Sequence, residues 1–227
     1  MRILAVETAT LAGSAAVLEG GRVVGQTHLD IALTHSERLM AMVDRLLQDC
    51  GFKASDLEGL AVSVGPGSFT GLRVGVATAK GLALALGLPV AAVPTLDALA
   101  WNLPFADVSV CPLLDARKGE VYLALYRWSG DRMERLSDYL ACSPRAAAAW
   151  LSPPVIVLGD GVGACRPFFP RLGAGLRVAP AFHSAPSAAI VGWLGQAMLQ
   201  SGQAVPADQL GPMYLRPPAA ELAARRA

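Results

Sequence analysis

The stretch Gly65-Pro66-Gly67-Ser68-Phe69-Thr70-Gly71-Leu72-Arg73-Val74-Gly75 follows an apolar segment at 60–64 and begins a long helix-forming run. Its first two glycines permit a positive φ or a close backbone approach, and the proline between them favours a turn. A serine or threonine can cap the helix that follows, whose free N–H groups attract a phosphate or carboxylate. The stretch predicts a strand, a glycine loop and a helix, with candidate anion-binding residues Gly65, Gly67, Ser68 and Thr70. The alternative, a tight turn without a ligand, stays open.

Two common nucleotide-binding patterns are excluded by their spacing. The pattern GxxxxGK[ST] requires a lysine after its last glycine, whereas Gly71 is followed by Leu72 and Arg73. The dinucleotide fingerprint GxGxxG is missed by one residue. The next apolar segment, 89–93, also ends in proline and threonine instead of an acidic residue. The loop by itself therefore identifies no nucleotide.

Composition indicates a folded globular protein. The 227 residues, 53% of them hydrophobic and 16% charged, can bury a core in one large domain or two small ones. A net charge of +1 provides no basic field for holding nucleic acid unaided, so an RNA-related role requires a partner. The four cysteines form no CxxC pair, which favours a reducing, intracellular compartment.

Two apolar stretches were tested as membrane or export signals. The N-terminal stretch, 3–6, is interrupted at once by Glu7 and is too short for a signal peptide. The longest stretch, 74–93, carries Lys80 in its middle and Pro89 in its last third. We therefore expect a buried helix followed by a strand, with no membrane association.

The order of predicted elements occurs twice along the chain. The first half predicts strands at 3–8, 14–19 and 22–29, a helix at 36–50, a strand at 60–64, a helix at 70–86 and a strand at 89–93. The second half predicts strands at 108–114, 120–128 and 133–140, a helix at 143–151, a strand at 155–158, a short helix at 165–169, a strand at 176–178 and a helix at 186–201. This repeat indicates a duplicated α/β architecture.

Five motifs in this order resemble the TsaB family of bacterial tRNA modification proteins. They are the segment 3–10, Thr34-His35-Ser36-Glu37, the glycine stretch 65–75, the segment 115–122 and Pro212-Met213-Tyr214-Leu215-Arg216. The resemblance covers nearly the whole chain. It implies the actin-like, Hsp70-like and sugar-kinase-like (ASKHA) fold, a duplicated β-β-β-α-β-α unit in two lobes. We assign 1–100 to the N-terminal lobe, 101–216 to the C-terminal lobe and 217–227 to a flexible tail.

The resemblance also implies a function. Family members are similar to non-catalytic partners of the paralogous subunit TsaD, which attaches threonylcarbamoyl to adenosine 37 of tRNAs that read codons beginning with A. It implies a cytoplasmic scaffold that joins TsaD and, in a larger complex, the ATPase TsaE, meets tRNA indirectly and forms a homodimer when alone. No cofactor of its own is expected, and ATP or a metal is expected at the catalytic partner or the subunit interface.

The residues that stand where the catalytic paralogue binds its metal agree with a non-catalytic role for this chain. In the catalytic paralogue two histidines with a spacing of four hold a metal, which places both imidazoles on one helix face. Here Thr95 and Leu99 stand at those positions. The three histidines, His28, His35 and His183, lie far apart in the sequence. We therefore expect no metal site and no catalytic residue.

Two acidic residues end equivalent strands of the two halves. Glu7 stands where kinases of this fold have an aspartate that orients a metal-nucleotide, and Asp115 is its counterpart in the second half. Both side chains can instead hydrogen-bond their own turns. A small-molecule kinase or ATPase of the same fold is therefore the alternative function. A metallopeptidase is a third reading that lacks ligands.

The surface of two helices carries the remaining signal. The apolar residues of the helix at 36–50 sweep about 160° of its circumference, more than a minimal core stripe needs. The helix at 70–86 contains many small residues, which would let another backbone approach. Either helix can also simply cover its own sheet. The predicted partner or dimer interface is Leu39, Met42, Val43, Leu46, Arg73, Val76 and Lys80.

Overall fold

The structure, a computed structural model, describes residues 1–30 and 35–215, with side chains from residue 38 onward in its first helix. The predicted cap at Ser36, the side chains of the Thr34-to-Glu37 motif, Arg216 and the predicted tail 217–227 lie outside the described part of the chain.

The first sheet is built from the N-terminal half. Its strands are β1 (Arg2–Glu7), β2 (Gly13–Glu19), β3 (Arg22–Leu29), β4 (Gly59–Gly65) and β5 (Val90–Pro94). Their order is β3-β2-β1-β4-β5, in which β1 pairs antiparallel with β2 and parallel with β4. Both β1 and β4 are apolar and buried on both faces, as expected for central strands covered by helices on each side.

The second sheet repeats this strand order. Its strands are β6 (Ser109–Arg117), β7 (Glu120–Leu123), β8 (Tyr126–Ser129), β9 (Arg132–Arg135), β10 (Leu140–Cys142), β11 (Val155–Leu158) and β12 (Leu176–Val178). The order β10-β7-β6-β11-β12 matches the first sheet strand for strand, and β8 pairs with β6 and β9 off this path. The predicted duplication is therefore present.

Helices cover both faces of each sheet. They are α1 (His35–Asp49), α2 (Phe69–Leu86), α3 (Thr95–Ala100), α4 (Pro144–Trp150), α5 (Val162–Cys165) and α6 (Ala188–Gln200), with 3₁₀ turns at Ala54–Asp56, Arg166–Gly175 and Ala181–His183. The helices α1 and α2 pack on one face of the first sheet. The equivalent α4 and α5 pack on the second sheet.

The remaining two helices exchange places between the halves. The helix α3 follows the first sheet, on which its Ala98 still packs, but its Leu96 and Leu99 pack on the second sheet in the cluster that contains Val110. The helix α6 ends the second half but packs on the first sheet, where Val191 lies against the cluster that contains Ile3. The lobe boundary at residue 100 stays a prediction, and these contacts cross it in both directions.

Predicted strands in the second half are interrupted. The predicted strand 120–128 is divided into β7 and β8, because Leu125 N donates to Ser137 Oγ and the chain leaves its pairing with β10 for a hairpin with β9. The predicted strand 133–140 is divided in the same way. The helix α3 was not predicted. The short helix predicted at 165–169 lies in a 3₁₀ turn from Arg166 onward, and α5 ends at Cys165.

The long apolar stretch forms α2 followed by β5, as predicted. Within the described residues, α2 is the one helix whose length and composition would suit a membrane span. Six of its residues, including Leu72 and Val76, are buried on the protein side. The buried face of α2 therefore packs on the first sheet.

Candidate functional site

The first glycine loop connects β4 to α2 and lies against the turn after β1. Ser68 caps α2, since its Oγ accepts a hydrogen bond from Gly71 N at 3.3 Å. The Ser68 N–H in turn donates to Ala9 O at 2.7 Å. A Cβ at Gly67 would lie 2.4 Å from that same carbonyl oxygen. Contact with the chain's own backbone therefore explains the second glycine of the loop.

The C-terminal segment, residues 201–215 after α6, covers the other side of this loop. Met213 N donates to Val64 O at 2.6 Å. Gly65 has a φ of 120°, and a Cβ there would lie 2.6 Å from Met213 O. Tyr214 stacks on Phe69 with 5.4 Å between the ring centroids. The glycine motif and the late C-terminal motif, which are far apart in the sequence, therefore meet at one place.

The four candidate anion-binding residues lie together at the N-terminus of α2. Gly65 is buried, Gly67 and Ser68 are half-buried and Thr70 is exposed. Because the chain's own carbonyl groups occupy the space beside both glycines, no ligand is needed to account for them. The anion-binding role of these residues stays a prediction.

Glu7, the last residue of β1, is fully buried. Its Oε1 accepts hydrogen bonds from Ala9 N at 2.7 Å and from Ser63 Oγ at 3.0 Å, whereas Oε2 has no partner. Burial raises the pKa of Glu7 to about 7, against the hydrogen bonds from Ala9 and Ser63, and the charge of Asp160 adds to the rise. The predicted hydrogen bond of Glu7 to its own turn is confirmed.

Asp115, the counterpart of Glu7 in β6, has a different environment. Its Oδ1 accepts from Arg117 N at 2.7 Å, and its Oδ2 forms an ion pair with Arg117 Nη1 at 3.1 Å. A second glycine loop, residues 159–163, follows β11, and its Asp160 accepts from Asp115 N through Oδ1 at 2.8 Å. Partial desolvation raises the pKa of Asp160, with a further contribution from the charge of Asp115. Asp115 therefore also bonds its own turn, as predicted.

The positions of the paralogue's metal-binding histidines lie on α3. Thr95 and Leu99 are both fully buried, and Thr95 Oγ1 has no hydrogen-bond partner. Between them, Asp97 Oδ1 accepts hydroxyl hydrogen bonds from Tyr126 at 2.6 Å and Tyr139 at 2.8 Å. Among the described side chains, those of residues 1–30 and 38–215, no group of three or more histidine, cysteine or acidic residues is placed to hold a metal ion.

Four residues of the predicted interface are buried within this chain, and the interface itself stays a prediction. Leu39, Val43 and Leu46 on α1 and Val76 on α2 are between 2% and 5% exposed. All four belong to the core cluster on the first sheet. They lie beneath the helices, so this part of the apolar face of α1 packs in the core of this chain.

The other three predicted interface residues keep exposed surface. Met42 borders a groove of about 340 Å³ between α1 and β3. Arg73 lies with its guanidinium 4.6 Å from the ring centroid of Phe69. Lys80 Nζ donates to Asp208 O at 2.9 Å, which ties it to the C-terminal segment.

Sequence reasoning missed an exposed leucine on α2. Leu84 is 66% exposed, and it lies seven residues after Ala77 and three after Gly81, which are also exposed. Residues with this spacing share one helix face, and that spacing is the signal that identifies it. We define the α1–α2 surface by its exposed residues, Met40, Arg73, Ala77, Gly81 and Leu84.

Comparison with known sequences identifies related proteins. The profile of the family described as TsaD, tRNA N6-adenosine threonylcarbamoyltransferase, matches residues 30–222. The chain is 34% identical to the tRNA threonylcarbamoyladenosine biosynthesis protein TsaB of Escherichia coli across 95% of both chains. It is 38% identical to the TsaB protein of Bacillus subtilis over 60% of this chain, a match that spans 59% of that protein.

Solved structures agree with these relationships. YeaZ from Pseudomonas aeruginosa superposes with a TM-score of 0.82 and 31% identity, over 94% of this chain and 99% of that one. The activator of 2-hydroxyisocaproyl-CoA dehydratase from Clostridium difficile, 9% identical with a TM-score of 0.52 over 91% of this chain and 99% of that one, shares the fold alone. The predicted ASKHA fold is confirmed. The chain belongs to the TsaB family of tRNA threonylcarbamoyladenosine biosynthesis proteins.

Proposed function

We propose that this chain is a non-catalytic scaffold and activator of TsaD, the subunit that attaches threonylcarbamoyl to adenosine 37 of tRNAs reading codons that begin with A. The observation that carries the proposal lies on α3, where Thr95 and Leu99 are buried at the positions of the paralogue's two histidines. A hydroxyl and an alkyl side chain do not replace two imidazoles as metal ligands. The transfer chemistry therefore belongs to the partner, in the cytoplasm, with ATP or metal bound at the partner or the subunit interface.

The α1–α2 surface supports binding of a partner protein. Leu84 is 66% exposed on α2 and Met40 is 49% exposed on the neighbouring α1. Ala77 and Gly81 stand beside Leu84 without bulky side chains, so a partner helix can approach closely. Exposed apolar groups on adjacent helices are typical of docking sites, and methionines adapt to a partner's shape. TsaE joins the assembly in a larger complex, and tRNA contacts this chain indirectly.

The same surface accounts for a homodimer in the absence of TsaD. An isologous two-fold contact needs only one patch on each copy. Loss of the dimer and loss of the TsaD complex should therefore follow from one substitution.

The test is Leu84→Glu. Because Leu84 is 66% exposed, the free chain can keep the new carboxylate in water, whereas a complex would bury it unpaired. We expect the Kd for TsaD to rise at least about 100-fold, with an unchanged melting temperature for the free chain. Titration calorimetry, light scattering and a reconstituted tRNA modification assay measure the three consequences.

A matched control lies on the second lobe. Leu136 is 50% exposed in the segment after β9, so Leu136→Glu makes the same chemical change away from α1 and α2. It should bind TsaD and support modification normally. Normal binding by Leu84→Glu would show that the surface is wrongly placed. ATP turnover or tRNA modification by the isolated chain would contradict the non-catalytic role and favour the kinase-like alternative.

A further inference from the structure

An aromatic pocket of about 540 Å³ lies away from the glycine loops and the α1–α2 surface. Trp101 and Phe105 reach it from the segment between α3 and β6, Trp128 from β8 and Trp193 from α6, with Asp131 in the β8–β9 turn. Three of the four tryptophans of the chain are therefore gathered at one site. Its volume is in the range of small-molecule sites.

The four rings form one contiguous cluster that lines the pocket. Trp101 stands in the middle, 5.2 Å from Trp128 at an interplanar angle of 85° and 4.6 Å from Trp193 at 54°. Phe105 continues the series, 4.7 Å from Trp128 at 56°. Rings at these separations are in direct edge-to-face or tilted contact, and together they line the pocket with several ring edges and faces.

Two of these rings are exposed to solvent, which forgoes the free energy that their burial would provide. Phe105 is 77% exposed and Trp193 is 43% exposed, although large aromatic side chains gain most by burial. Phe105 also has a φ of 63°, in the left-handed region that a bulky residue rarely adopts. Strained residues of this kind concentrate at binding sites.

Charge decides which ligand the pocket suits. Among the residues that line it, Asp131 carries the only charge. The nearby Arg132 is directed to Glu134, whose Oε1 accepts from Arg132 Nε at 2.9 Å and from Nη2 at 2.6 Å. The negative ring faces and the carboxylate together attract a cation and repel a phosphate.

We propose that this pocket binds a small organic cation, with a quaternary or alkylated ammonium group against the rings of Trp101, Trp128 and Trp193 and Asp131 as the counter-charge. The inference does not depend on the proposed function, because it uses no residue of the α1–α2 surface.

The experiment titrates choline into the full chain and follows tryptophan fluorescence and heat. Its control ligand is 3,3-dimethylbutan-1-ol, which has the same shape without the charge. We expect saturable choline binding, at least about fivefold tighter than binding of the neutral alcohol. Asp131→Asn and Trp193→Leu should each weaken choline binding about threefold or more. Trp150→Leu removes the tryptophan that lies outside the pocket, on α4, and should bind choline normally.

Three results would overturn the proposal. Equal affinity for the neutral alcohol would make the site an apolar pocket without charge selection. Tighter binding of adenosine monophosphate, strengthened by Asp131→Asn, would make it a nucleobase site. No saturable response to choline at tens of millimolar would mean that no cation site exists. If Trp193→Leu lowers the melting temperature, Asp131→Asn in the exposed turn decides the question, because this isosteric change leaves the packing of the rings intact.

Discussion

The two glycine loops occupy equivalent places in the two halves but are packed in different ways. Gly65 follows β4 with a φ of 120°, and Gly159 follows β11 with a φ of 108°. A Cβ at Gly159 would lie 2.1 Å from Leu113 O, in the neighbouring strand β6. At Gly65 the nearest atom is Met213 O, supplied by the far end of the chain. The second loop therefore packs against a neighbouring strand of its own sheet. The first loop is covered only when the C-terminal segment is in place.

The helices and acidic residues beside the two loops also differ. The helix after the first loop, α2, has 18 residues, whereas α5 after the second has 4. Glu7 is buried with one unpartnered oxygen, whereas Asp115 is paired with Arg117. The duplication has kept the strand order, but the two long helices α1 and α2 beside the loop and the fully buried acid Glu7 belong to the first half. We expect partner binding and pH sensitivity to reside there.

The largest effect is expected for Gly159→Ala. The new Cβ would lie 2.1 Å from a backbone oxygen, and the φ of 108° is unfavourable for any side chain, so the strand or the loop must move. We expect a loss of about 3 kcal/mol or more in the free energy of unfolding. Urea unfolding measures it.

Gly163→Ala is the matched control for this substitution. It lies in α5 just after the same loop, and a Cβ there meets nothing within 4 Å. It should change stability by less than about 1 kcal/mol. Similar stabilities of the two variants would contradict the close backbone contact at Gly159.

The next effect is a pH dependence that comes from Glu7. Its folded pKa of about 7 exceeds the ordinary value of 4.5. As the pH rises between these values, the unfolded chain loses a proton that the native state retains, so stability falls across the window, by about 3 kcal/mol in total. Glu7→Gln keeps the acceptor oxygen for Ala9 and Ser63 but cannot ionise. The difference in free energy of unfolding between Glu7→Gln and the natural chain should therefore shift in favour of the variant as the pH rises from 5 to 8.

Asp115→Asn sharpens the contrast between the two acids. Because Asp115 is 34% exposed and paired with Arg117, we expect its substitution to change the free energy of unfolding by no more than about 1 kcal/mol. Urea unfolding of both variants between pH 5 and pH 8 measures the difference. If the pH slope of the natural chain persists in Glu7→Gln, another group is responsible for it.

Local patterns in the sequence predicted the framework. The strands at 22–29, 155–158 and 176–178 were predicted to the residue, because each is a β-rich run between turn residues. The turn bonds of Glu7 and Asp115 were also predictable, since each joins residues two apart. The exchange of α3 and α6 was not, because the apolar face of a helix does not specify which sheet it covers, and α3 has only six residues.

Contacts between distant residues were beyond sequence reasoning. An apolar stripe such as that of Leu39, Val43 and Leu46 looks the same whether it faces its own sheet or a partner. The tryptophans of the aromatic pocket come from elements separated by many residues, and no local spacing joins them. In both cases the fold supplies information that periodicity does not contain.

The smallest effect tests whether the C-terminal segment holds the first loop. Tyr214→Ala removes the ring that stacks on Phe69 at 5.4 Å, at a cost of about 1 kcal/mol. We expect faster hydrogen exchange at Met213 N, which donates to Val64 O, and unchanged exchange at Gly161 N, which donates to Leu113 O in the second loop. Phe182→Ala, which removes an 81% exposed ring from a 3₁₀ turn outside both loops, is the control and should alter neither amide. Equal acceleration at both amides would mean global loosening, and no change at Met213 would mean that its backbone contacts hold the segment without the stacked ring.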